Sequence, residues 1–313
     1  MKSIVLDLGG TNIKIAIVQR EQVYNISTIP FSSKTDFSIT MQKITSHINL
    51  LMNDLTGGIN DINGIGLSIP GIVNIKENRV ISINKKHEGA IEFDFNEWMK
   101  NHWDLPLVMD NDARAALVGE WKFGAGQGYD HIVMLTLGTG VGGAAMINGK
   151  LIYGKHFQAG CLGGHFTINF KGRQCTCGNI GCVESEASSW ILPELIRENG
   201  HFPNKLADQQ IPDFKKLFDL YEKKDPLALE IIHHCRKAWA AGIISLIHAY
   251  DPEIVIVGGG IMDSGEYLLP YFQEKVDQLA WTPMEKVKIS KAKNINSSAL
   301  LGLGYMLNGK IRN

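Results

Sequence analysis

The chain has 313 residues, 44% hydrophobic and 20% charged, and Lys+Arg 31 against Asp+Glu 32 leaves a net charge of −1. At ~150 residues per domain the length suggests two domains, each with apolar material for its own core. The balanced charge offers no bulk field to nucleic acid or an anionic membrane, and no apolar run approaches the ~20 residues of a bilayer span. Asp7 interrupts the N-terminal apolar run at once, so a signal peptide is not expected and a cytoplasmic location is. Glycine stands out, with 33 residues in short clusters. Four of the five cysteines (Cys161, Cys175, Cys177, Cys182) fall close together, and Cys235 stands apart. In a reducing compartment such a cluster points to a metal before a disulfide.

The first element read from the pattern is a strand, Ile4 to Leu6, ending in Asp7-Leu8-Gly9-Gly10-Thr11-Asn12. A return strand, Ile13 to Val18, follows directly, which makes a hairpin. A Walker loop would be followed by a helix instead. Residues 38–56 carry Ile, Leu and Met at helical spacing. Ile62 to Ile69 reads as a buried strand stopped by Pro70-Gly71. Residues 73–109 read as irregular, with short strands and a helix near Phe95–His102. The short strand Leu107-Val108-Met109 runs into Asp110-Asn111-Asp112 and an Ala-rich helix over 113–119 that Asp112 can start or cap.

The pattern then recurs. His131 to Leu137 is a strand, Gly138-Thr139-Gly140-Val141-Gly142-Gly143 a glycine turn, and Ala144 to Ile147 the return strand. Helices are expected at Glu186–Arg197, Phe214–Glu222 and Leu227–Tyr250, the last stopped by Asp251-Pro252. Asn199 to Pro212 reads as a polar loop, Ile254 to Val257 as a buried strand before Gly258-Gly259-Gly260, and Ser298 to Leu307 as an apolar helix. This alternation predicts an α/β fold of two duplicated domains with a cleft between them. One would span 1–115, with the terminal helix 298–313 crossing back to it. The other would span 116–297 and hold the loop 165–184.

A glycine turn with several free backbone N–H groups suits phosphate oxygens. Thr11, Thr136 and Thr139 add hydroxyls, and Asp7 stands at a strand end where it can hold Mg²⁺ directly or through water. Two such turns from two halves can grip the phosphates of ATP from both sides. His165, Cys175, Cys177 and Cys182 supply one imidazole and three thiolates, the donor set of a closed tetrahedral Zn²⁺ site with a structural role.

These strings resemble the phosphate motifs of the actin-like, ribonuclease H-like sugar kinase fold, and Val257-Gly258-Gly259-Gly260 resembles its adenosine motif. More narrowly, the chain resembles the ROK family of repressors, open reading frames and kinases. Asn111-Asp112-Ala113 with Gly119-Glu120, and Cys175-Thr176-Cys177-Gly178-Asn179-Ile180-Gly181-Cys182-Val183-Glu184, carry that resemblance. It implies ATP-dependent phosphorylation of a hexose or hexose derivative, with Asp112 as the base that takes the hydroxyl proton. It also implies sugar contacts from Gly71, Asn111, Asp112, His165 and Glu184. Nucleotide contacts would come from Asp7, Gly9, Gly10, Thr11, Asn12, Lys14, Gly138, Thr139, Gly140, Gly142, Gly143, Gly258 and Gly259. Homodimers are common in the family, although no interface is legible in this sequence.

Four further residues have structural roles. Glu186 reads as a helix-start carboxylate, Cys235 as a packed apolar side chain, and His233-His234 as ordinary helix histidines rather than metal ligands.

The chain departs from the family in two places. The family shows Ala-Gly-Glu-x-Gly-His before the cysteines, where this chain has Ala159-Gly160-Cys161-Leu162-Gly163-Gly164-His165. One residue is inserted, and the carboxylate that would grip two sugar hydroxyls is absent. Asn84-Lys85-Lys86-His87-Glu88 also replaces an apolar, Trp-containing stretch. Both changes bear on which sugar fits. Two rivals remain. A transcriptional regulator would need a helix-turn-helix before Ile4, and a non-catalytic sugar-binding protein would have no use for Asp7, Asp112 and two glycine turns.

Overall fold

A computed structural model describes residues 2–32, 35–55, 57–83, 87–198 and 213–309. The expected loop 199–212 and residues 84–86 lie outside these. Two compact units emerge. One contains the chain to Gly128, Lys150–Cys161 and the stretch from Asn296; the other contains Tyr129–Gly149 and Leu162–Ile295.

In the first unit, near-continuous apolar runs make strands buried on both faces. β1 (Lys2–Leu8) pairs antiparallel with β2 (Asn12–Gln19), which pairs with β3 (Gln22–Pro30). The β2–β3 turn holds Arg20 and Glu21 at φ 48° and 66°. That is the geometry of a tight hairpin turn, here without the Asn or Gly that signals one, which is why β3 escapes the sequence pattern. Asp36 caps α1 (Phe37–Asn53), whose Phe37, Met41, Ile44, Ile48 and Met52 form one buried stripe. β4 (Ile62–Ile69) runs parallel to β1, followed by the ribbon β5 (Ile72–Asn74) and β6 (Arg79–Ser82). Helix α2 (Phe95–His102) leads to β7 (Leu107–Asn111), parallel to β4, and then α3 (Asp112–Phe123). The sheet order is β3-β2-β1-β4-β7.

The second unit repeats this plan. β8 (Ile132–Leu137) and β9 (Val141–Ile147) form an antiparallel hairpin. The two-residue β10 (Lys150–Leu151) opens the segment that clusters with the first unit. α4 (Val183–Glu186), α5 (Leu192–Glu198), α6 (Phe214–Glu222) and α7 (Pro226–Tyr250) follow. Asp225 caps α7 with Pro226 in its first turn, Asp251 ends it at φ 46°, and Cys235 is buried within it. β11 (Ile254–Gly258) lies parallel to β8; α8 (Leu268–Leu279) precedes β12 (Lys288–Lys291), which lies parallel to β11. Within this unit the order is β9-β8-β11-β12, the counterpart of β2-β1-β4-β7.

α9 (Ser298–Leu307) belongs to the first unit and packs on α3 at backbone distance. A Cβ on Gly302 would stand 1.9 Å from Ala115 O, and one on Gly119 would stand 2.0 Å from Ser298 O. Ser298 Oγ donates to Glu120 Oε1 at 2.7 Å.

Two expectations are corrected. The boundary near residue 115 falls inside α3, which stays whole because Gly119 is locked against α9; the chain leaves this unit at Gly128 and revisits it over Lys150–Cys161. The single helix expected over Glu186–Arg197 is two, α4 and α5. Between them the amides of Ser189 and Trp190 turn away to donate to Gly138 O at 3.0 Å and Thr139 O at 3.2 Å. No helix among the described residues is long and apolar enough to cross a membrane.

Candidate functional site

In the first unit the β1–β2 turn spans Gly9 to Thr11. Two of its carbonyls are taken from behind: His87 Nε2 donates to Gly9 O at 3.1 Å and Phe31 N donates to Thr11 O at 3.0 Å. Asp7 stands opposite Lys14 and accepts from Ser68 Oγ at 2.7 Å. Burial pushes the Asp7 carboxyl up, opposed by the Ser68 hydrogen bond and the charge of Lys14. Lys14 Nζ donates to Asn296 O at 2.8 Å.

At the end of β7, Asn111 rather than Asp112 caps α3. Its Oδ1 accepts from Ala113 N at 3.0 Å and Arg114 N at 3.2 Å, and its Nδ2 donates to Gly71 O at 3.0 Å. The acceptor expected to face sugar hydroxyls is thus occupied by the helix start. Asp112 is the first residue of α3, half-buried, and its Oδ1 accepts from Ala113 N at 2.8 Å. Gly71, at φ 102°, abuts Ser82 O of β6.

Asp110 and Arg114 were not singled out in the sequence. Arg114 is fully buried, with its guanidinium 3.6 Å from Asp110. It lies over the Tyr153 ring and donates to Phe157 O at 3.0 Å and Ala159 O at 2.7 Å. Tyr153 OH donates to Asp110 Oδ2 at 2.5 Å. Burial pushes the Asp110 carboxyl up, against the pull of Arg114 and Tyr153. This group ties the segment 152–159 to the strand end that carries Asn111 and Asp112. The signal available was a charged pair four residues apart astride an apolar helix start. Cys161, next to Leu162 where a Glu is expected three residues before His165, is buried and donates weakly to Gln158 O. Burial pushes its thiol up, and Asp110 and Asp112 add to the effect. A cavity of about 510 Å³ in this unit, floored by the Phe31–His87 ring stack, is lined by none of the expected site residues.

In the second unit the β8–β9 turn closes on itself through Gly138 N donating to Gly140 O at 3.0 Å. Ser189 and Trp190 hold its carbonyls, as described above. Glu184, buried at the start of α4, accepts from Val141 N at 2.9 Å. One oxygen of the expected sugar ligand is therefore spent on the turn. Gly142 and Gly143 lie in β9 opposite Thr136 and Leu135, and Gly258 ends β11 opposite Thr136. Gly259 follows at φ 86°, directly against Leu137. Gly164, next to His165, has a packing reason: a Cβ there would lie 1.7 Å from Val141 O.

Glu186 stands in the first turn of α4, as expected of a helix-start carboxylate, and is also the hub of a buried ion group. It accepts from Arg173 N and Arg173 Nη1, both at 2.9 Å, and lies 3.4 Å from His234 Nε2. The hydrogen bond from His234, then those from Arg173, hold its carboxyl below the usual range. Arg173 also pairs with Glu198.

His165 Nδ1 lies 3.6 Å from Cys175 Sγ, and Cys177 Sγ lies 3.7 Å from Cys182 Sγ. All four donor atoms lie within 4.8 Å of one another. Four thiolate or imidazole donors at ~2.0–2.3 Å from one ion would stand about 3.5–3.8 Å apart, so the group fits a tetrahedral metal ion. Burial, with the neighbouring sulfurs, pushes the Cys175 and Cys182 thiols up. A cation among them reverses that preference.

Two sheets of one strand order, each opening on a glycine hairpin, define an actin-like ATPase fold. The chain is similar along 99% of its length to a ROK family glucokinase from Streptomyces griseus in complex with glucose and AMPPNP, at 26% identity and a TM-score of 0.83, covering all of that chain. It is 29% identical to a glucokinase of Thermotoga maritima, over 99% of this chain and 98% of that protein. It is 27% identical to a β-glucoside kinase of Listeria innocua, over 97% of each. The ROK family model matches residues 3–310, and the chain belongs to the ROK family.

Proposed function

We propose that this protein transfers the γ-phosphoryl group of ATP to a hydroxyl of a hexose or hexose derivative, with Asp112 as the base. The protein is a sugar phosphotransferase; the donor, the sugar class and the residue roles are the reading offered here. It is carried by one observation: in each glycine turn two carbonyls are taken by donors from other segments, which leaves N–H groups of the turn to meet phosphate oxygens.

Phosphoryl transfer needs positioning and charge neutralisation more than covalent help from the protein. Asp112 can accept the hydroxyl proton as the new P–O bond forms. The Asp110–Arg114 pair holds the strand end that presents it. Asp7 would hold Mg²⁺, which supplies positive charge to the phosphates; the same charge offsets the burial that raises the Asp7 carboxyl. His165, Cys175, Cys177 and Cys182 would hold a structural Zn²⁺, which orders the loop leading to Glu184. His165, Gly71 and the remaining oxygen of Glu184 would contact the sugar. The absent Glu at Leu162, three residues before His165, favours a sugar whose substituent replaces a hydroxyl there, an N-acetylhexosamine or a glucoside, over plain glucose.

An ADP-release assay over hexoses, N-acetylhexosamines and β-glucosides tests this reading. Stimulation by one class is expected. ADP formation unmoved by every sugar would overturn it and leave a non-catalytic sugar-binding protein.

A further inference from the structure

We infer that His87 is a positioning residue for the phosphate turn Gly9–Thr11. The inference rests on the reading of that turn as a nucleotide site.

A carbonyl oxygen can only accept, so the 3.1 Å contact places a proton on His87 Nε2, donating to Gly9 O. The ring is fixed on every side that matters. It is 3% exposed, stacks on Phe31 with ring centroids 3.8 Å apart, and meets Phe37 edge-on at 6.1 Å. Its backbone sits at φ 62°, a left-handed position uncommon for a non-glycine residue. Phe31, the stacking partner, holds the other end of the same turn by donating its own N–H to Thr11 O. One aromatic pair therefore pins the first and last carbonyls of one three-residue turn.

The β8–β9 turn shows what this achieves. There too two successive carbonyls, of Gly138 and Thr139, are held from behind, and both donors are backbone amides. The requirement is shared and the means differ. In a glycine turn without such pins, peptide planes rotate easily, and a flipped plane presents a carbonyl to a phosphate where an N–H is needed. His87 is thus the one side-chain pin among the four contacts compared here.

Binding of the ATP analogue AMPPNP with Mg²⁺ to the full chain, measured by calorimetry beside thermal unfolding, tests this. His87→Leu keeps the bulk and removes the donor. One lost hydrogen bond is worth about 5- to 10-fold in Kd, and that weakening is expected. His87→Gln, which retains an amide N–H at similar reach, should return Kd to within about twofold of the parent. A merely structural histidine would not be rescued in this way, and unfolding curves show whether either variant has lost its fold. Thr11→Val is the control for the turn itself. If Thr11→Val weakens binding and His87→Leu does not, the inference fails while the nucleotide turn stands. Equal weakening by His87→Leu and His87→Gln removes the donor role. If Thr11→Val leaves Kd unchanged, the reading of the turn falls and the inference with it.

Discussion

The two glycine turns are the same device built with different materials. The β1–β2 turn is held by a histidine ring and one amide from separate segments. The β8–β9 turn is held by two consecutive amides freed by the break between α4 and α5, by an internal hydrogen bond and by Glu184. Backbone donors survive any side-chain change that leaves the chain path intact; a side-chain donor is open to single substitution. The loop 165–182 accounts for much of the difference, because it runs directly into α4 and so sets where Glu184, Ser189 and Trp190 lie. One half of the duplicated plan is braced by the loop that gathers His165, Cys175, Cys177 and Cys182, the other by packed aromatic rings.

The largest expected effect lies on the first unit. Asp112→Asn should lower kcat by about 10²–10⁴-fold, the usual share of a general base, while sugar binding persists in equilibrium titration. Turnover near that of the parent would remove Asp112 from the chemistry and leave the two units with equal claims to it. Next, Cys177→Ser should reduce bound zinc, measured by elemental analysis of the purified protein. It should also lower stability by several kcal/mol, because metal affinity is coupled to loop order. Its unfolding transition should fall, and hydrogen exchange should rise first in the β8–β9 turn and not in the β1–β2 turn. Exchange rising equally in both turns would erase the distinction.

Smaller effects sharpen it. Gly164→Ala forces a methyl group against Val141 O and should cost about 1–3 kcal/mol in chemical denaturation. The smallest effect concerns pH. Glu186 has its carboxyl held below the usual range in the folded chain. Its contribution is therefore present above its unfolded value and is lost as pH falls through the lower folded value. Glu186→Gln should destabilise by about 1 kcal/mol at pH 7, discounted because Arg173 is partly exposed. That difference should shrink in thermal unfolding below about pH 4. Asp7 and Asp110 carry the opposite sign: burial raises both, so their effect disfavours the fold as pH rises past their unfolded value. A Glu186→Gln penalty that grows in acid would contradict this assignment.

Much of this was legible in the residues. The glycine strings, the cysteine spacing and the repeated strand–turn–strand pattern are local signals, and local geometry decides them. Other features depended on partners distant in sequence. His87 reads as part of an unusual loop until Gly9 O is placed beside it. Asn111 and Asp112 are both good helix starters, and only the backbone at Asn111, φ −64° and ψ 142°, decides which one caps. Glu186 sits where a helix-start acid belongs, but Arg173 and His234 converge on it from other segments. β3 was hidden by a turn whose residues are Arg20 and Glu21.

The packing of α9 on α3 has a consequence for how the protein is made. The first unit includes both β1 and Ser298–Leu307, so a chain emerging from the ribosome carries an uncovered Gly119 face until α9 appears. At ~5–20 residues per second that interval is on the order of ten seconds or more. Throughout it the sequence of the second unit is being completed ahead of the first, and a nascent chain stalled before Ser298 would expose Glu120 and the small-residue surface of α3 to chaperones or proteases.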